Sequence, residues 1–222
     1  MNVAVMKTKA EQAISESFEA VAGKLPGSDA VKARRAQAIG SFSGLGLPHR
    51  RIEEWKYTDL RVNVKEVLPA AVDDATRLTI AELLVALGPL AHVDAHRIVF
   101  VNGHHRVQLD DISEAAGLAI APLGSLLASA SDEAGAMLAS TPEGGAAVEA
   151  LNTAFMTDGA VVSVEAGRSI EKPVMLVFVR AGGEARAVTV RNFVTVETGA
   201  SATVIEVHVA LPGAAPEAQP TR

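Results

Sequence analysis

Residues 158–210 read DGAVVSVEAGRSIEKPVMLVFVRAGGEARAVTVRNFVTVETGASATVIEVHVA. Four apolar runs stand out in this stretch: Val161–Val164, Val174–Val179, Val188–Val196 and Thr203–Val209. They are rich in β-branched residues and are parted by turns at Gly167, Gly182–Gly183 and Gly199, so each reads as a strand. Their starts recur at roughly a dozen residues, a spacing that suits a β-sandwich and the stacked rungs of a β-solenoid equally well. Val188, Val190, Val194 and Val196 alternate with Thr189, Arg191, Thr195 and Glu197, the pattern of a half-buried strand. In the last run Glu206 and His208 lie two apart and share one strand face, with Ile205, Val207 and Val209 on the other. That pair is a candidate polar strand face: solvated, metal-binding or in a subunit contact.

Upstream the periodicity is helical. Ala10, Ala13, Ile14, Ser17, Phe18, Val21, Ala22 and Leu25 predict an amphipathic helix over 8–25, opened by a Thr8/Glu11 capping box and stopped by Pro26–Gly27. A second helix is expected from Asp29 to Phe42 with Ser28 as cap, after which Gly44–Leu45–Gly46–Leu47–Pro48 turns the chain. Thr79 and Glu82 cap a third helix, Ile80–Leu87, which Gly88–Pro89 ends. Arg97–Val101 reads as a strand, Asn102–Gly103 as a hairpin turn and Val107 with Leu109 as the returning strand. Residues 121–156 return to Ala/Leu-rich helix. The expected class is therefore α+β: a helical N-terminal region over 1–95, a mixed strand and helix connection over 96–156, a β-rich core over 157–210 and a flexible Ala/Pro-rich tail over 211–222.

Composition narrows the function. The 222 residues carry a formal net charge of -6 and no cysteine. An acidic balance disfavours nucleic acid, whose phosphates need a basic stripe. Without cysteine there is no thiolate nucleophile, disulfide or thiolate metal ligand, which fits a reducing compartment. Met1–Lys9 lacks the apolar stretch of a secretory signal, and the longest apolar runs fall well short of the ~20 residues of a membrane helix. The cytoplasm is the expected location, with no membrane partner.

Other chemistry-bearing residues have blander readings. His92 and His96 stand four apart but are separated from the helix by Gly88–Pro89, and His104–His105 falls at the predicted hairpin turn. The carboxylate pairs Asp73–Asp74 and Asp110–Asp111 sit in polar sequence, where solvation is expected. No metal-ligand, phosphate-cradling or nucleophile-elbow motif occurs, so no catalytic residue and no metal ligand is assigned.

The most specific stretch is Arg51–Ile52–Glu53–Glu54–Trp55–Lys56–Tyr57–Thr58–Asp59–Leu60, which holds the chain's one Trp and one Tyr. It resembles the Arg-x-Glu-x-Trp-Lys-Tyr-Thr-x-Leu motif near the N-terminus of SufD-type members of the SufB/SufD family of iron–sulfur cluster assembly proteins. Val99–Gly103, Ala150–Phe155 with Asp158–Gly159, and Asn192–Val209 resemble further blocks of the same family. The resemblance implies a helical N-terminal domain, a right-handed parallel β-helix and a C-terminal helical domain. It also implies a non-enzymatic scaffold that pairs with a SufB-like protein through the β-helix and with a SufC-like ATPase through the C-terminal part. The sequence is expected to stop within the first rungs of the β-helix. On that reading this piece binds no cofactor itself, the iron–sulfur cluster belongs to the full complex, and the exposed last rung favours self-association. Where SufB-like proteins carry Glu-Gly-Cys, this chain reads Glu206–Val207–His208, which points to the SufD side.

Within the motif, Trp55 and Tyr57 alternate with Lys56 and Thr58, which predicts an extended segment whose aromatic face packs on the helices. Arg51 and Glu53 are placed to pair. The residues Arg51, Glu53, Trp55, Lys56, Tyr57, Thr58 and Leu60 thus form either a structural clasp or a docking surface. Two other functions remain on the page: a stand-alone metal-binding module built on Glu206, His208 and a turn histidine, and a β-solenoid carbohydrate-active enzyme, for which no cluster of acidic and basic residues on successive strands is visible.

Overall fold

The computed structural model describes residues 7–71, 73, 76–129, 133–139 and 147–214. Asp74, the end of the tail over 215–222 and parts of the helical stretch over 121–156 lie outside the described residues. In chain order the helices are α1 (Lys9–Val21), α2 (Asp29–Leu45), α3 (Leu60–Asn63), α4 (Ile80–Leu87), α5 (Leu123–Ala128), α6 (Glu133–Ala139) and α7 (Ala147–Phe155). The strands are β1 (His96–Val101), β2 (His104–His105), β3 (Leu118–Pro122), β4 (Ala160–Val164), β5 (Val174–Arg180), β6 (Phe193–Val196) and β7 (Val204–Ala210). The chain is thus α+β, and it divides into two compact units, one from residues 1–70 and 127–156, the other from residues 71–126 and 157–216.

The first unit is helical. Thr8 and Glu11 form the expected capping box on α1, and Ser28 caps α2. The second helix runs past Phe42 to Leu45 and stops at Gly46, whose φ of 70 is open to glycine. Ile14, Phe42, Leu47 and Ala147 make one apolar cluster with Leu60, Leu151 and Phe155 against it, while Phe18, Leu25, Ala38 and Ala154 make a second. Phe18 meets Phe155 edge-on at 5.6 Å. Arg35 is buried, with no carboxylate paired to it among the described residues. Its guanidinium donates to the carbonyls of Ala154 at 2.9 Å and Pro26 at 3.0 Å, so it caps the C-terminal end of α7 and anchors the turn before α2. Burial lowers its pKa to about 10, which leaves it charged at neutral pH.

The second unit is built on two sheets. One has the order β2-β1-β5-β7, with β1, β5 and β7 parallel, and the other has the order β3-β4-β6, with β4 and β6 parallel. From β4 to β7 the chain alternates between the sheets. Residues of one circuit meet those 32 further on: Thr157 with Thr189, Ala160 with Asn192, Ser169 with Ser201. Both faces of β1 and β5 are buried, which is why they read as unbroken apolar runs. One face, with Ile98, Phe100, Leu176 and Phe178, packs against Ala160 and Val162 of the other sheet. The opposite face, with Val99, Val101, Met175 and Val177, is covered by Leu83 and Leu87 of α4.

Several sequence expectations are corrected here. The strand expected over Val188–Val196 is limited to Phe193–Val196, preceded by a single bridge between Asp158 and Val190. The return of the hairpin is His104–His105, while Val107–Leu109 forms a 3-10 turn. The Asn102–Gly103 turn is present, with φ of 50 and 81. The stretch after 121 is not helical from its start, because β3 runs to Pro122.

His96 opens β1 and is buried, its Nδ1 3.3 Å from the Ser113 hydroxyl. Desolvation and then the nearby Lys172 charge lower its pKa, with Asp94 and Asp111 opposing. A histidine whose folded pKa lies below its unfolded value of 6.5 binds more protons when unfolded, so stability is complete above that pH and declines as pH falls through it. Melting temperature measured from pH 8 to pH 5 is expected to drop less steeply for His96→Gln than for wild type. Equal slopes would remove His96 as the cause.

Candidate functional site

Two places gather the residues singled out by sequence. The first is the segment from Pro48 to Arg61. Rather than an extended strand, Glu53–Trp55 is a 3-10 turn flanked by further turns. The alternation of aromatic and polar residues therefore does not build one packed face: Trp55 is half-buried, whereas Tyr57 is 92% exposed. The Arg51–Glu53 pair does not form; Glu53 takes Lys56 at 2.7 Å and Asp59 takes Arg50 at 3.3 Å, both exposed ion pairs of small energetic weight. Lys56 Nζ also lies 5.3 Å from the centre of the Tyr57 ring. Thr58 donates its N–H to the Trp55 carbonyl at 2.8 Å, and Leu60 donates to the Pro48 carbonyl at 2.9 Å, which closes the segment into a loop.

What fixes the loop is a carboxylate that sequence marked only as a helix cap. Glu11 is 2% exposed. Its Oε2 accepts the Thr8 N–H at 2.6 Å, and its Oε1 accepts the Leu47 N–H at 2.7 Å and Arg61 Nε at 3.1 Å. Burial raises its pKa, but the backbone N–H groups of Thr8 and Leu47, the Thr8 hydroxyl and the Arg61 charge outweigh that and hold it below the usual carboxylate value. A Cβ on Gly46 would stand 2.5 Å from Glu11 Oε1, so the turn leaves no room for a side chain. The motif is thereby clasped to α1 and α2 at one end while Tyr57 is presented outward.

The second place is β7. Glu206 and His208 share a face as expected, and Glu206 Oε1 lies 2.7 Å from His208 Nε2. Asn192 Nδ2 donates to Glu206 Oε2 at 3.4 Å. The register sets Glu206 beside Leu176 and His208 beside Phe178, so this face continues the apolar layer between the sheets. The His208 ring lies on the Phe178 ring at 5.1 Å and 23°, and Phe178 on Phe100 at 5.2 Å.

The other candidates are scattered. His92 ends a 3-10 turn while His96 is buried in β1, so the two do not converge. Asp110 and Asp111 are not merely solvated: Asp110 meets His105 at 2.7 Å and accepts the Val99 N–H, and Asp111 meets Arg97 at 3.5 Å. Asp73 pairs with Arg106 at 2.7 Å. Asp158, quoted in sequence only with Gly159 as part of a family block, accepts the N–H groups of Gly124, Gly159 and His105 and ties β2 and β4 to the start of α5. Among the described residues no three His, Asp or Glu side chains converge as a metal site, and no helix is long and apolar enough to cross a membrane.

Residues 9–176 match the family model described as the SufBD protein N-terminal region. An iron–sulfur cluster assembly SufBD family protein of Synechocystis sp. is 28% identical over 180 residues, covering 80% of this chain and 39% of that protein. The chain therefore spans well under half the length of this curated relative.

Proposed function

The chain belongs to the SufBD family, and from that premise we propose that it is a non-catalytic, SufD-type scaffold subunit of cytoplasmic iron–sulfur cluster assembly. The two sheets are the first rungs of a right-handed parallel β-helix. The observation that carries this reading is the parallel stacking: the chain passes from sheet to sheet, and β6 pairs with β4 at an offset of 32 residues while β7 pairs with β5 at an offset of 30. Parallel connections of this kind are right-handed. Such a stack offers strand edges and flat faces to a partner, and the candidate residues of the described part do not assemble a nucleophile with its base. Support for the SufD side comes from the absence of cysteine and from His208 in the place where SufB-like members carry a thiol. On this reading the subunit pairs with a SufB-like protein through the β-helix and with a SufC-like ATPase through a C-terminal part of the kind that the 39% match to the relative does not cover. The iron–sulfur cluster is the cargo of the whole complex.

The test is capture of SufB-like and SufC-like proteins from the same source by this chain and by a version extended past Arg222. The expected result is capture of both by the extended chain and weak or no capture by the 222-residue chain. An extended chain that ignores both partners would overturn the proposal.

A further inference from the structure

The layer between the two sheets changes character along the chain. Ile98 and Phe100 of β1, Ala160 and Val162 of β4, and Leu176 and Phe178 of β5 form its apolar part, with the buried His96 at the start of β1 on the same face. One circuit on, Glu206 stands beside Leu176, His208 beside Phe178 and Asn192 beside Ala160. Three polar side chains thus continue an apolar face. Glu206 and His208 stand at the open side of the stack and stay half or more exposed, so they remain in reach of solvent, and local departures from an apolar pattern concentrate where a group binds something.

The three are also held in place. The His208 ring plane is set by stacking on Phe178 at 5.1 Å. Glu206 offers Oε1 toward His208 Nε2 at 2.7 Å, and its Oε2 accepts from Asn192 Nδ2 at 3.4 Å. Asn192 is itself anchored across circuits, because its Oδ1 accepts the Ala160 N–H at 2.9 Å. A donor oriented by a hydrogen-bonded neighbour that is fixed to backbone is how metal ligands are commonly held. With metal–donor lengths of about 2.0–2.1 Å, adjacent donors stand about 2.9–3.3 Å apart. Glu206 and His208 therefore need to separate by only a few tenths of an ångström (roughly) to admit an ion between them. Their side chains are 51% and 64% exposed, so an ion reaches them and water completes its shell.

We infer that Glu206 and His208 are the donors of a binding site for a first-row divalent transition cation, with Asn192 as positioning residue. One imidazole and one carboxylate without thiolate favour zinc, cobalt, nickel or ferrous iron over magnesium and calcium. The site belongs to this chain and stands whether or not the chain pairs with a SufB-like protein.

The experiment is titration of the full 222-residue chain with Co(II), read by its visible absorption, and with Zn(II), read by calorimetry, with Mg(II) in parallel. One saturable equivalent of Co(II) and of Zn(II), and no Mg(II) heat, is expected. Glu206→Gln and His208→Gln should abolish it, and Asn192→Ala should weaken it by about tenfold to a hundredfold. Metal-free melting temperatures of the two donor variants should match wild type, which separates lost ligation from lost folding. Absence of binding up to millimolar metal, or binding that survives His208→Gln, overturns the inference.

Discussion

Replacing Glu11 by Ala is expected to unfold the first unit at markedly lower urea, with a loss of about 3 kcal/mol or more. The carboxylate is 2% exposed and satisfies two backbone N–H groups and Arg61 at once. Removing it takes the acceptor from the Thr8 and Leu47 N–H groups, leaves Arg61 Nε with the Leu47 carbonyl at 3.2 Å and opens space beside Gly46. Breaking a buried pair from one side costs about 3–5 kcal/mol, and Arg61, which keeps partial access to water, places the effect toward the lower end. Glu11→Gln keeps the shape and one acceptor and should lose less. Fluorescence of Trp55, the one tryptophan and a member of the same unit, reports the transition. An unchanged urea midpoint in Glu11→Ala would show that the clasp does not hold the loop. The lowered pKa adds a pH signature: this contribution is complete above about the ordinary carboxylate value of 4.5 and is lost as pH falls through the lower folded value.

Gly159→Ala is the second large effect, in the other unit. Gly159 has φ of 144, a conformation essentially reserved for glycine, and a Cβ there would lie 2.0 Å from the Arg191 carbonyl oxygen. The obstacle is backbone, so no side chain can swing aside. Strain of about 1–3 kcal/mol and overpacking of about 1–3 kcal/mol together give an expected loss of about 2–6 kcal/mol. The contact lies where one circuit stacks on the next, at the Asp158–Val190 bridge and the Arg191 N–H to Asp158 carbonyl bond. Hydrogen exchange should therefore show protection lost first in Phe193–Val196. Wild-type protection of that strand in the variant would contradict the packing described.

The legible part of this molecule was local. The Thr8/Glu11 and Thr79/Glu82 capping boxes, the Asn102–Gly103 turn and the valine-rich strands all depend on residues within a few positions of one another. The two faces of β7 followed from the period of two. What sequence could not carry was set by distant partners. Glu11 meets Arg61 across 50 residues and Arg35 meets Ala154 across 119, so neither burial leaves a local trace. The motif was misread as extended because alternation of Trp55, Lys56, Tyr57 and Thr58 imitates a strand, while the closure from Leu60 to Pro48 wraps it into turns. The face of Glu206 and His208 was identified, but that it prolongs the layer of Leu176 and Phe178 required the register between strands. Within the motif Glu53 pairs with Lys56, Thr58 donates its N–H to the Trp55 carbonyl, and Tyr57 is exposed beside them.

The register between circuits bears on how such a chain tolerates changes in length. Ser169 bridges Ser201, whereas Val174 pairs with Val204, so the later circuit reaches its strand in two residues fewer. Because side chains alternate with a period of two, a shortening by an even number leaves every residue of β7 on its original side. A gap of one would have turned Glu206 and His208 over toward α4 and carried Val207 into the layer between the sheets. Insertions and deletions in this corner should therefore be inherited in pairs, an arithmetic visible when relatives are aligned by circuit rather than by residue.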